Sequence, residues 1–220
     1  MVWVILLAHF LADYPLQTPW ILRNKRRSGI VAIHAGIHLL LMLILVGPER
    51  TRIWPYLSFL AGVHLFIDLG KNVVYKIRPD WVVAPYIVDQ CLHYVTIGIT
   101  STWIQAALGI TTLPFGGKWA VFATSYLVVM YVWFISERII VYASPSYQAE
   151  VQAQFWPRML SRGALLTLLL LTTAVPVSTT IATVSTAFLP YISGKHRLRA
   201  LVTDTAVVCT IWVFIRIATG

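Results

Sequence analysis

The stretch IVAIHAGIHLLLMLILVG, residues 30–47, decides the fold class. It holds no Asp, Glu, Lys or Arg, and its length approaches the ~20 apolar residues that a helix needs to cross about 30 Å of hydrocarbon. Its two strongly polar side chains, His34 and His38, are four positions apart. That spacing puts both imidazoles on one helix face, one above the other.

The rest of the chain repeats the pattern. Of its 220 residues, 58% are hydrophobic and 11% charged, with a mean hydropathy of +0.75. Soluble domains carry about 25% charged residues, so water is the wrong solvent for this surface. Apolar runs set against breakers predict membrane spans at 2–22, 30–47, 53–71, 81–108, 119–142, 159–175, 176–192 and 200–218. The run 176–192 starts at Pro176 and is rich in Ser and Thr, which suits either close helix packing or a re-entrant segment. The expected fold is an all-α polytopic transmembrane bundle of 7–8 helices, with His/Asp pairs on helices 1–4. The first run has no basic region before it and no small-residue cleavage site, so it reads as a span and not as a removable signal. A polar segment, 143–158, reads as a loop or surface helix. It separates a histidine-rich part, 1–142 with helices 1–5, from a histidine-poor part, 159–220 with helices 6–8. Cys91 and Cys209 sit in apolar runs without a CxxC, and no disulfide is expected.

A net charge of +9 does not point to nucleic acid, because the basic residues gather in short connections: Arg23, Lys25, Arg26 and Arg27; Lys71, Lys76 and Arg78; Lys195, Arg197 and Arg199. Cytoplasmic loops of membrane proteins carry this excess. With eight helices all three clusters, joined by Arg158 and Arg162, fall on the cytoplasmic side of the inner (plasma) membrane. Seven helices would move the last cluster across. Glu137 and Arg138 are expected as a local pair near the surface or as substrate contacts, and Asp204 as a partner of Arg197 or Arg199. His196 is expected to be solvated or at the lipid headgroups. No P-loop, GxSxG or dinucleotide fingerprint is present.

Five of the six histidines lie in apolar runs, each four residues from another metal-capable residue: His9 with Asp13, His34 with His38, His64 with Asp68, and Asp89 with His93. Counted from the nearest basic cluster at 1.5 Å per residue, all four pairs lie roughly 10 to 17 Å from one basic face. A common height permits one shared pocket. Intramembrane carboxylates are costly, about 2.5 kcal/mol upward for a central Asp, and normally face a partner or a cavity. Nitrogen and oxygen donors on one face suit a divalent metal, zinc foremost, iron or manganese otherwise. The candidate ligands are His9, Asp13, His34, His38, His64, Asp68, Asp89 and His93. Asp13, Asp89 and Gln90 are the candidates for handling a water or a proton, and Gln17 and Lys71 for contacting substrate. The bland alternatives are helix-packing hydrogen bonds for each histidine and a plain Asp68–Lys71 salt bridge.

In HFLADYPLQ (9–17), HAGIH (34–38), HLFIDLGK (64–71) and DQCLH (89–93), the chain resembles the domain-of-unknown-function 3307 family of bacterial membrane proteins, over about residues 5–95. The order and spacing of the four motifs carry the resemblance. It implies a membrane-embedded helical fold and brings no activity. In style, the pairs are also similar to those of membrane-bound metal-dependent hydrolases.

The expected function is metal-dependent hydrolysis of a lipid-like or amphiphilic substrate near the cytoplasmic face. The rivals are a di-iron or haem oxidoreductase, a proton- or cation-coupled transporter, and a structural member of a complex with partner subunits or with further copies of itself.

Overall fold

The computed structural model describes residues 1–109, 117–171, 177–192 and 194–219, with side chains described for all of these except 177–182. Among the described residues all regular structure is helical. Four stretches are long and apolar enough to cross a membrane: Ser28–Leu45, Gly47–Ile77, Lys118–Ile140 and Arg197–Thr219. They coincide with the expected spans 30–47, 53–71, 119–142 and 200–218.

The remaining expected spans are changed by local chemistry. Helix α1 covers Val2–Asp13, twelve residues, a rise of about 18 Å, so the expected single span 2–22 is broken. Pro15 lacks an N–H and disfavours helical geometry at the residue before it. The chain then turns and restarts as α2, Pro19–Asn24, where Thr18 caps the Ile21 N–H and Pro19 occupies the first turn. Helix α3 is Ser28–Leu45 and α4 is Arg50–Ile77. Helix α5, Val83–Leu108, is 26 residues long, but Asp89, Gln90, His93 and a Thr/Ser run make it less apolar than the four above. It ends at Gly109, whose left-handed φ of 63° turns the chain out of the helix.

After α6, Lys118–Leu127, a π-helical turn at Val128–Val132 leads into α7, Trp133–Ile140. The polar segment 143–158 holds a short helix, α8 (Pro145–Ala153), whose Tyr147 and Val151 pack against Phe134 and Val141. Helix α9, Phe155–Leu171, begins four residues before the expected span at 159, and α10, Val177–Phe188, has twelve residues. Residues 172–176, with the Pro176 start expected for a seventh span, lie outside the described residues. Helix α11 is Arg197–Thr219.

The chain forms two compact units, residues 1–124 and 125–220, dividing within α6 and ahead of the polar segment. In the first, α1 packs on α3, α3 on α4, α4 on α5 and α5 on α1, which closes a ring of four helices. Their inner faces read as two layers. Val4, Ile5, Ala8, Met42, Val46, Ile53, Leu57, Leu60, Ala61, Ile97 and Ile104 form an apolar core. One to two turns beyond these core residues come the histidines and aspartates, on their C-terminal side in α1 and α4 and on their N-terminal side in α3 and α5. Alternating helix direction therefore collects every His/Asp motif at one end of the ring.

In the second unit, α9 packs on α10, α11 and the π-helical turn. Its buried charges overturn three expectations. Arg158 and Arg162 are not loop residues; they lie in α9 with 2% and 1% exposure. Asp204 pairs with these two arginines and not with Arg197 or Arg199. Glu137 faces Arg158 Nη2 at 2.8 Å, while its chain neighbour Arg138 lies over the Phe134 ring. His196 is half-buried, its ring 4.6 Å from that of Tyr147.

Candidate metal centre

Each helix of the first unit delivers its polar residues through the four-residue spacing. On α1, His9 Nε2 is 3.5 Å from Asp13 Oδ2. On α3, His34 Nε2 and His38 Nε2 are 3.3 Å apart. On α4, His64 Nε2 is 3.6 Å from Asp68 Oδ2, and on α5, His93 Nε2 is 3.5 Å from Asp89 Oδ1. The ring also brings the pairs to one another. Asp13 Oδ1 lies 2.9 Å from His34 Nε2 and 3.2 Å from His38 Nε2. The rings of His38 and His64 are 3.7 Å apart, those of His64 and His93 4.2 Å, and those of His9 and His93 5.0 Å.

All five imidazoles are buried, as are Asp68, Asp89 and Gln90. Asp13 has a side-chain exposure of 8%. Two overlapping sets present one donor atom each within 4.8 Å of one another: Asp13, His34, His38 and His64; and His9, His64 and His93. Four donors arranged tetrahedrally about a metal at 2.0–2.1 Å stand about 3.3 Å from each other. The His34–His38 separation of 3.3 Å and the Asp13–His38 separation of 3.2 Å match that edge.

Several of these atoms have nothing to bond. His9 Nε2, His34 Nδ1, His64 Nε2, His93 Nε2 and Asp89 Oδ1 are buried and without a hydrogen-bond partner. Leaving a buried polar atom unsatisfied costs about 1–3 kcal/mol, and the ring places five of them together. His9, His38, His64 and His93 line a cavity of about 10 Å³ floored by Met42, Leu60 and Ile97. That is room for about one water or one ion.

The acidic side of the cluster is organised differently. Lys71 Nζ sits 2.9 Å from Asp68 Oδ1 and 2.7 Å from Asp89 Oδ2, and Lys25 Nζ is 3.0 Å from Asp68 Oδ2. Both oxygens of Asp68 therefore face an ammonium. The Gln90 amide donates to Asp13 Oδ2 at 3.3 Å and to Asp89 Oδ2 at 3.1 Å. Its own oxygen accepts from the Tyr14 and Tyr94 hydroxyls, which fixes the amide orientation. Gln17 Nε2 is 3.2 Å from His34 Nε2.

The structure thus gathers all eight candidate ligands, with Gln17, Lys71 and Gln90 around them. Sequence reasoning passed over Lys25, read only as a loop charge, and Tyr14 and Tyr94. Their signal was position: Tyr14 follows Asp13 directly, and Tyr94 is one helical turn from Gln90.

Residues 1–115 match a family described as Protein of unknown function (DUF3307). No curated protein and no solved structure matches the chain.

Proposed function

The chain belongs to the DUF3307 family, and from its own residues we propose a membrane metal centre that hydrolyses a lipid-like or amphiphilic substrate. The observation that carries the proposal is the set of three imidazole nitrogens, His9, His64 and His93 Nε2, buried in one small cavity with no hydrogen-bond partner. Buried imidazole nitrogens without a hydrogen-bond partner are suited to a cation. His34, His38 and Asp13 add further donors alongside. Nitrogen-rich donors with one or two carboxylates favour zinc, then iron or manganese. A cavity of about 10 Å³ suits a bare ion and is far below the several hundred Å³ of a pocket for a haem-sized ligand.

A divalent cation held there would supply Lewis-acid polarisation of an ester or phosphoryl oxygen and of a water. The unpartnered Asp89 Oδ1 is placed to take that water's proton, while Gln90 and Lys71 hold the other Asp89 oxygen. Gln17 approaches His34 from the partly exposed turn between α1 and α2, the side from which a substrate can reach the centre. Around that turn Trp20 and Leu22 are exposed beside the exposed Arg23, Arg26 and Arg27. Aromatic, apolar and basic side chains together suit the headgroup level of an anionic leaflet. This supports a cytoplasmic orientation for the polar end in a bacterial inner membrane. Lys71, clamped by two carboxylates, is assigned to holding Asp89 and not to gripping a headgroup.

The test is elemental analysis of detergent-purified protein, paired with turnover of a long-chain p-nitrophenyl ester and of a phospholipid. Bound zinc, iron or manganese that is lost in His64→Ala, with turnover abolished by chelation and restored by the ion, is the expected result. Metal content unchanged in His64→Ala rejects the centre. Metal present with no turnover of either substrate rejects the hydrolase and favours cation passage, read as flux in liposomes.

A further inference from the structure

We infer that the cluster holds two cations in unequal positions, a tight one formed by His9, His64 and His93 and a weaker one formed by Asp13, His34 and His38. The inference rests on the metal reading above and adds to it the number of ions, the ligands of each and the order of filling.

The two donor sets differ in what occupies their lone pairs. In the first, His9, His64 and His93 each offer a ring nitrogen within 4.8 Å of the others, and none of their Nε2 atoms has a hydrogen-bond partner. An ion arriving there displaces no bond within the protein. Three imidazoles with an open fourth position form the arrangement of a catalytic zinc, and the unpartnered Asp89 Oδ1 borders it, 3.5 Å from His93 Nε2.

In the second set, Asp13 Oδ1 lies within hydrogen-bond distance of His34 Nε2 and His38 Nε2, at 2.9 and 3.2 Å, and His34 Nε2 is also 3.3 Å from His38 Nε2 and 3.2 Å from the Gln17 amide nitrogen. An ion entering this position must displace these contacts, so it binds more weakly and second. Asp13 joins the two positions, with Oδ1 on His34 and His38 and Oδ2 3.5 Å from His9 Nε2. A carboxylate with one oxygen toward each ion is suited to bridging a pair of metals about 3.5–4 Å apart.

A third grouping, Asp68, Asp89 and His93, also lies within metal-binding reach. The Lys71 ammonium already sits there, against Asp68 and Asp89, and Lys25 takes the remaining Asp68 oxygen. Asp68 is therefore a counter-ion to two lysines and not a ligand. The lysines fill the place of a third cation.

The experiment is a Co²⁺ titration of the full chain in detergent after chelator treatment, followed by visible absorption and by calorimetry, with folding checked by size-exclusion. Two equivalents in two steps are expected, the first at least about tenfold tighter, or 1.4 kcal/mol. His93→Leu removes the tight step and keeps the weak one, His34→Gln does the reverse, and Asp68→Asn keeps both. A single equivalent overturns the two-position inference and leaves the metal reading standing, whereas no bound cobalt overturns both. Loss of a step in folded Asp68→Asn overturns the assignment of that residue to the lysines. If His93→Leu does not fold, the wild-type step count and His34→Gln decide.

Discussion

Both units of this protein bury a polar cluster, and the two clusters are opposites in how their atoms are satisfied. In the second unit Arg158 donates to both oxygens of Glu137 and both of Asp204, at 2.8 to 3.0 Å. Arg162 adds Asp204 Oδ2 and the carbonyls of Val129 and Met130 in the π-helical turn. Tyr147, Tyr191 and Trp133 close the remaining acceptor directions. Burial, and then the Glu137 carboxylate it faces, holds the Tyr147 hydroxyl above its ordinary pKa, so it stays a donor. Two positive and two negative charges cancel, and no buried oxygen or nitrogen of the four charged side chains is left without a partner. A closed network of this kind locks helices together. The first unit has instead left four imidazole nitrogens and Asp89 Oδ1 buried without a hydrogen-bond partner, which costs stability unless something binds. A saturated polar cluster locks helices together, whereas an unsaturated one leaves donor atoms open to a ligand.

Arg158→Met is expected to give the largest effect, because it leaves Glu137 and Asp204 buried without their main partner, a loss of about 3–5 kcal/mol. Its measure is the thermal midpoint and the yield of monodisperse protein; a normal midpoint would erase the contrast between the units. His64→Leu removes a nitrogen with no hydrogen-bond partner while still filling its place, so the metal-free form should unfold near the wild-type temperature while the bound metal is lost. A large drop in the metal-free midpoint would make the histidines structural locks as well. Gln90→Leu frees Asp13 and Asp89 from their shared donor and is expected to weaken metal binding by about 10–100-fold, the usual effect of removing a residue that orients ligands. Unaltered affinity in a competition titration would remove Gln90 from the centre. Trp133→Phe deletes one of the several bonds to Asp204, costing about 1 kcal/mol, with metal content unchanged.

The two clusters were not equally legible. On the first unit the four-residue spacing marks His9, His34, His38, His64 and His93 as sharing faces with further donors, and distance from the basic residues gives a common height. Nothing comparable exposes the second network, since Glu137, Arg158 and Asp204 come from three helices with no motif between them. Arg158 and Arg162 are themselves four residues apart, but their place beside a polar segment disguised them as loop charges. The candidate spans were legible where apolar runs are long, as at 30–47 and, despite Asp204 and Arg216, at 200–218. They failed at 2–22, where the backbone constraint of Pro15 outweighs the hydropathy of its neighbours.

Composition and spacing by themselves determined that this is a chain of apolar helices with paired donors on their inner faces, because hydropathy sets the solvent and 3.6 residues per turn sets the face. Only the tertiary structure decided which donors meet. Whether Asp13 bonds two histidines, Asp68 two lysines, or His64 nothing depends on the rotation and depth of each helix in the ring, and those follow from side-chain packing between helices that no single segment encodes.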